Sequence, residues 1–362
     1  MLASDLSVLD RSANLSIWFD TIHQLVMCHS PSGMESEVDR WIVDYLTNLP
    51  NVQSENIWQD SSSNIVVKIF GRDSSKSVAI TAHKDEIGAI VKEVEGDGQI
   101  AVRRLGGSYP WVYGEGAMDI LGDRQTVQGV LSFGSRHVSH ESPQKAQQED
   151  RPVSWSDAWV DTKLSVSELD NAGVRPGTRV VVGKHRKAPV RLGDFIGSYT
   201  LDNKASVAIL LAIAARLTEP AIDTYLVFSA KEEVGALGAL YFSQQQKLDA
   251  MIALEICPVS SEYPIDHNEV PVLLSQDAYG LYDEPLNASI RAVAQAQDIP
   301  LQLAILQGFG SDASIAMKFG HVPKAACLSF PTENTHGFEI AHLGAISACA
   351  NVLVALCKNY AY

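Results

Sequence analysis

The sequence predicts an α/β layered fold with a largely parallel sheet, interrupted midway by a β-rich insertion. Three observations carry that expectation. Short apolar runs alternate with helix-like stretches towards both ends of the chain. Between about Ile87 and Arg191 the pattern turns to short β-like pieces with many glycines and no long helix. The 362 residues exceed one comfortable core and suit one α/β domain with an insertion better than two domains in series.

The elements follow in order. Residues 15–47 are helical in spacing, broken at His29-Ser30-Pro31-Ser32-Gly33. Glu35–Leu49 then carries Val38, Trp41, Ile42, Tyr45 and Leu46 as one helical stripe. Ile65–Phe70 and Val78–Ala82 read as strands, bounded by polar or turn-forming residues. In the insertion Gly88–Val94, Gln99–Arg104, Gln125–Phe133 and Arg179–Val182 are β-like, and the polar stretch Ser139–Ser156 reads as a mobile loop. Beyond it, Tyr225–Phe228, Met251–Ile256, Leu301–Leu306 and Ala325–Phe330 are expected as buried strands. Helices are expected at Ala205–Leu217, Gly235–Gln246, Pro285–Gln297 and Ala341–Cys357. The domain division is therefore 1–87 with 191–362, and 88–190 between them.

Charge and cysteine content narrow the function classes. With 28 Lys and Arg against 43 Asp and Glu, the net charge of −15 argues against a broad nucleic-acid surface, which needs clustered cations. The five cysteines are odd in number and form no CxxC pair, as expected of reduced thiols in the cytoplasm. Asp5, Asp10, Arg11 and Asp20 break any signal-peptide core. Ala205–Leu217 is too short to span a bilayer, and His342 and Asn351 interrupt Ile340–Cys357, so both read as core helices rather than membrane spans.

Five places carry chemistry, four of them just beyond the carboxyl end of an expected strand, where open α/β sheets bind ligands. His83 follows Val78–Ala82. In extended chain Asp85 faces the same way and would orient a metal-binding imidazole. Asp202 stands before the apolar helix, where an N-cap would also place it. Glu232 and Glu233 follow Tyr225–Ala230, although first-turn acids favoured by a helix dipole look the same. Glu255 lies inside an apolar run, where a carboxylate must be paired, protonated or metal-bound. His336 follows Ala325–Phe330.

Together these suffice for two metals, with His83 and Glu255 on one, Glu233 and His336 on the other, and Asp202 between them. Nitrogen and carboxylate donors without cysteine suit Zn²⁺, with Co²⁺ or Mn²⁺ as alternatives. Glu232 is then the general base for the attacking water.

The chain resembles the M42 metallopeptidases, the glutamyl-aminopeptidase-like and tetrahedral aminopeptidases, over nearly its whole length. The resemblance rests on His83-x-Asp85-Glu86-Ile87-Gly88, Leu201-Asp202-Asn203, Glu232-Glu233-Val234-Gly235 with Gly238-Ala239, Glu255 in place of the usual Asp, His336, and Gly308-Phe-Gly-Ser-Asp-Ala313. It implies a three-layer α/β/α catalytic domain with an inserted β-barrel-like dimerisation domain, and a cis peptide after Asp202. It also implies two divalent metal ions and a homo-oligomer, built from dimers up to a dodecamer. Lys204 stands where Arg is common, and Glu333-Asn334 stand where Arg-Tyr is expected. Such a charge reversal would alter which substrate groups are accepted.

The leading expectation is release of N-terminal residues from short peptides. Glu255 or Glu333 would meet the α-amine, and Gly310 and Asp312 are further candidate substrate contacts. A specialised amidase or dipeptide-like hydrolase on the same site, and a non-catalytic assembly protein keeping the fold, are the alternatives. A glycosidase would leave the histidines unexplained. Neither nucleic acid nor membrane is an expected partner.

Overall fold

The computed structural model describes residues 11–142 and 152–359. Residues 143–151, within the polar stretch Ser139–Ser156, and residues 1–10 lie outside the described residues. The fold is three-layered α/β/α, with a barrel carried on it.

The large sheet has a parallel centre. Ile222–Ser229, Asp73–His83, Ala250–Pro258 and Ala325–Glu333 lie side by side in that order, all parallel. Both flanks are antiparallel: Ile65–Ile69 pairs beside Ile222–Ser229, and Phe338–His342 beside Ala325–Glu333, followed outward by Phe195–Tyr199 and Val190–Leu192. The sheet is thus less parallel than the strand–helix alternation predicts, because several connections are too short to hold a crossover helix.

Strand alternation builds two apolar cores. Val78, Ile80 and Ala82 face the helices Arg11–Val26, Ser36–Thr47, Leu201–Arg216, Glu284–Ala296 and Leu343–Asn359. Ala79, Val66 and Val227 face Leu237–Gln245 and Asp312–Lys318. The Val38, Ile42 and Leu46 stripe is buried as its spacing predicts. Leu201–Arg216 is buried on all sides from Leu201 to Ala214, which explains its uniformly apolar sequence. Among the described residues no helix is long and apolar enough to cross a membrane.

Two helices start later than expected. Ala341 and His342 belong to the strand Phe338–His342, and the helix begins at Leu343. The strand is paired on both sides, and His342 Nδ1 accepts the Gly344 N–H at 2.9 Å, satisfying a donor at the helix start. Leu237–Gln245 likewise starts late, because Gly235 and Ala236 take left-handed φ values of 115° and 53°.

The insertion closes into a six-stranded barrel. Its strands run Gly88–Val94, Ile100–Leu105, Trp159–Asp161, Thr126–Ser132, Gly116–Leu121 and Arg179–Val182, the last returning to the first. A third apolar cluster fills it.

A buried ionic chain joins barrel to sheet. Lys187, fully buried, pairs with Glu86 and lies 3.1 Å from His29 Nδ1. His29 Nε2 meets Asp119 of the barrel at 2.9 Å. The Glu86 carboxylate also accepts the Ser30 N–H at 2.7 Å. Burial opposes its charge, yet Lys187 and Lys204 hold its pKa below the usual range. We expect Glu86→Gln to lower stability by about 3–5 kcal/mol, because Lys187 would be left buried without its counter-ion. A urea midpoint unchanged from the parent would refute that.

Candidate metal centre

The four central strands are parallel, so their carboxyl ends share one edge of the sheet. His83 ends one strand, Glu232 and Glu233 follow a second, Glu255 lies in a third and His336 follows the fourth. Asp202 arrives from the antiparallel side, in non-helical backbone at the start of the buried helix. The helix N-cap is Thr200 rather than Asp202, and the Asp202–Asn203 peptide is cis. Five of the nine non-glycine residues with left-handed φ among the described residues are in these turns: Thr200, Lys231, Ala236, Asn334 and His336. Such conformations cluster where surrounding packing dictates a functional geometry.

Two triads result. Donor atoms of His83, Asp202 and Glu255 lie within 4.8 Å of one another, and so do those of Asp202, Glu233 and His336. Asp202 belongs to both: Oδ1 is 3.0 Å from His83 Nε2, and Oδ2 is 3.5 Å from His336 Nε2. Glu255 Oε1 is 3.7 Å from His83 Nε2, and Glu233 Oε2 is 3.8 Å from His336 Nε2. Glu232 completes no triad, but its Oε2 lies 3.9 Å from His83 Nε2.

Both imidazoles are held from behind. His336 Nδ1 lies 3.2 Å from the Gly107 carbonyl and His83 Nδ1 3.3 Å from the Asp85 carbonyl. Protonated there, each ring donates to a carbonyl and turns an Nε2 lone pair to the cluster, as metal ligands do. Gly107 comes from the barrel, and a Cβ on it would sit 2.7 Å from His336 Cε1. Only glycine lets the loop lie on that ring.

The electrostatics call for cations. Burial, reinforced by Asp202, pushes Glu233 up to about 7. Burial also raises Glu232 and Glu255 well above the usual carboxylate range. Despite its own burial, His336 rises to about 10 beside Asp202 and Glu233, and His83 rises well above its usual value beside Glu255 and Asp202. Asp202, next to both imidazoles, is held well below the carboxylate range although buried. So many carboxylates around two imidazoles leave a buried negative excess. The donor set therefore fits divalent metals, with nitrogen and oxygen and no sulfur.

Asp85 serves mainly the neighbouring turn. Its carboxylate accepts the N–H groups of Glu232 at 2.9 Å and Glu233 at 3.3 Å and the Ser32 hydroxyl at 2.6 Å, while His83 Nδ1 is 3.5 Å away. Glu339 is the residue that the sequence reading passed over. Fully buried, it accepts the Asp202 N–H at 2.9 Å and the His336 N–H at 3.0 Å, and burial raises its pKa to about 8. A carboxylate in the apolar run Phe338–His342 carries the same signal that singles out Glu255.

A cavity of about 600 Å³ opens over the cluster. Tyr109 and Trp111 of the barrel loop form part of its wall, and Ile256, Tyr279, Phe309 and Gly310 belong to the core side. Two of the candidate substrate contacts are not in this wall. Glu333 pairs with His267 at 3.2 Å. Asp312 is buried, accepting the Ser229 hydroxyl at 2.5 Å. Lys204 is buried too, donating to the Cys28 carbonyl at 3.3 Å.

Known proteins share this architecture. The M42 glutamyl aminopeptidase profile matches residues 63–352. YhfE of Bacillus subtilis (strain 168) is 26% identical over 341 residues, covering 92% of this chain and 95% of YhfE. Aminopeptidase APDkam598 from the archaeon Desulfurococcus kamchatkensis superposes with a TM-score of 0.84 at 22% identity, covering 96% of each chain. The Pyrococcus horikoshii TET1 peptidase, which assembles into a tetrahedron or a large octahedral shell, gives 0.84 at 20% identity, covering 95% of this chain and all of its own. With a family profile spanning most of its length, the chain belongs to the M42 glutamyl aminopeptidase family of metallo-aminopeptidases.

Proposed function

We propose that this aminopeptidase removes N-terminal residues from short peptides with two divalent cations and with Glu232 as general base. One cation would be held by His83, Asp202 and Glu255, the other by Asp202, Glu233 and His336. The observation that carries this reading is the Asp202 carboxylate, whose two oxygens face the two imidazoles separately. Zn²⁺ suits the donors first, with Co²⁺ or Mn²⁺ as alternatives. Bound there, the pair supplies Lewis-acid polarisation of the scissile carbonyl and lowers the pKa of water towards ~7.

The side chains do the rest. Glu232 stands beside His83 without completing either triad, takes a proton from the attacking water and returns it to the leaving amine. Asp85 is a positioning residue, fixing the Glu232-Glu233 turn through its amide contacts. Glu339 braces Asp202 and His336 through their backbones. Of the two acids considered for the substrate α-amine, Glu255 lines the cavity.

The decisive experiment is a panel of free and N-acetylated aminoacyl anilides, measured before and after chelation and after readdition of Zn²⁺ or Co²⁺. Metal-dependent turnover of free-amine substrates alone is expected. Turnover confined to blocked substrates would replace the aminopeptidase reading with the amidase one.

We further take the chain to act in the cytoplasm and to assemble with copies of itself, with the barrel contributing to dimers. Five buried free cysteines accord with a reducing compartment. Leu281, Leu303 and Ile305 are exposed on Gly280–Leu281 and Gln302–Ile305, strands that pair with Val272–Asp277 beside Ala325–Glu333, and accord with self-association.

A further inference from the structure

We infer that the cavity selects a large uncharged N-terminal side chain, aromatic or branched aliphatic, and rejects acidic and basic ones; this rests on the aminopeptidase reading above. Every Asp, Glu and His among the residues lining the cavity belongs to the two triads or is Glu232, and no Lys or Arg lines it. Apart from these acids and histidines the lining is uncharged and includes Ile256, Tyr263, Tyr279, Phe309, Gly310 and Ile315. A side chain pointing there meets rings, tyrosine hydroxyls and aliphatic carbon, and no charged group.

That wall is built in advance. Tyr279 donates its N–H to Asp277 at 2.8 Å. Asp277 is buried and fixed in turn by the Tyr282 hydroxyl at 2.6 Å. The Tyr279 ring lies on Gly310 so closely that a Cβ there would be 2.2 Å from Cε2. The Tyr263 hydroxyl accepts the Gln307 N–H at 3.4 Å, tying the segment before Phe309 to the opposite ring. Walls held by their own hydrogen bonds lose little freedom when a ligand docks.

Charge decides what fits. An N-terminal glutamate would place its carboxylate against apolar rings, beside a cluster already rich in carboxylates, with no cation in the wall to receive it. An N-terminal lysine would find no carboxylate there outside the metal cluster. Phenylalanine and leucine bury apolar surface without such a cost.

The test uses the metal-loaded protein and the p-nitroanilides of Phe, Leu, Ala, Glu and Lys. Phe and Leu should exceed Glu and Lys in kcat/KM by on the order of 100-fold. Tyr279→Ala should cut that advantage about tenfold, chiefly through KM, with Tyr279→Phe retaining it. Gly310→Val should drive the ring into the cavity and shift preference from Phe towards Ala. Glu or Lys turned over as well as Phe and Leu would overturn the inference, as would a preference indifferent to Tyr279→Ala. If no free-amine anilide is cleaved, the aminopeptidase reading fails by itself. Calorimetric binding of L-phenylalanine, L-glutamate and L-lysine then decides the pocket: Phe tightest upholds the inference, either charged amino acid tightest overturns it.

Discussion

Glu232→Gln is expected to lower kcat by about 10²–10⁴-fold while the protein keeps both metals. Glutamine has the shape of glutamate but no basicity, so the variant removes proton transfer and little else. The N–H of residue 232 is held by Asp85, whose carboxylate is fixed in turn by the Ser32 hydroxyl, rather than by its own carboxylate, so the turn should persist. Neither triad uses the 232 side chain, so metal content measured by plasma mass spectrometry should stay at two per chain. Turnover within tenfold of the parent would remove Glu232 from its role. Loss of a metal would make it a ligand instead.

Chelation should abolish turnover and also weaken the fold, increasingly so as pH rises. A site saturated at about 1,000 times its Kd contributes ~4 kcal/mol to stability. The metal-free protein also holds protons that the unfolded chain has lost. Glu233 at about 7 and Glu339 at about 8 lie above their unfolded value of ~4.3. Wherever the folded state binds more protons, stability falls with rising pH. These two therefore lose stability between about pH 4.3 and 8. His336, raised to about 10 against ~6.5 unfolded, adds a loss from about pH 6.5 upward. Asp85 and Asp202, both held below their ordinary value, contribute fully above ~4 and stay constant across this window. Bound cations replace those protons. The difference in melting temperature between metal-loaded and chelated protein should hence widen from pH 6 to 9. A difference that narrows or stays level would contradict the excess of carboxylates in the cluster.

Much of this centre was legible because a parallel strand announces itself. An apolar run ending in His83, or interrupted by Glu255, marks both a strand and a polar group that must be accounted for. Residues placed by long-range partners are different. Glu333 is three positions from His336, yet it turns to His267, from a segment some way along the chain. Glu339 was hidden by a period ambiguity: Phe-Glu-Ile-Ala-His, five residues before a long apolar helix, merges with that helix until strand partners appear on both sides. Asp85 was expected to orient His83, but its carboxylate is 3.5 Å from Nδ1 and bonds instead to the amides of the Glu232-Glu233 turn, which follow another strand and leave no trace in local spacing. Trp111 and Tyr109 carry no signature at all, since an aromatic in a loop acquires meaning only when the barrel delivers it to the cavity.

The contact between Gly107 and His336 has a consequence for how such a chain can change over time. The His336 imidazole of the α/β core is seated by a loop of the insertion, and the same loop supplies part of the cavity wall. The two modules therefore cannot be exchanged between relatives like interchangeable cassettes. A transplanted barrel would bring its own loop to the same imidazole, and any residue larger than glycine at that point would collide with it. Drift in one module must be answered in the other, so the join between them is inherited as a unit.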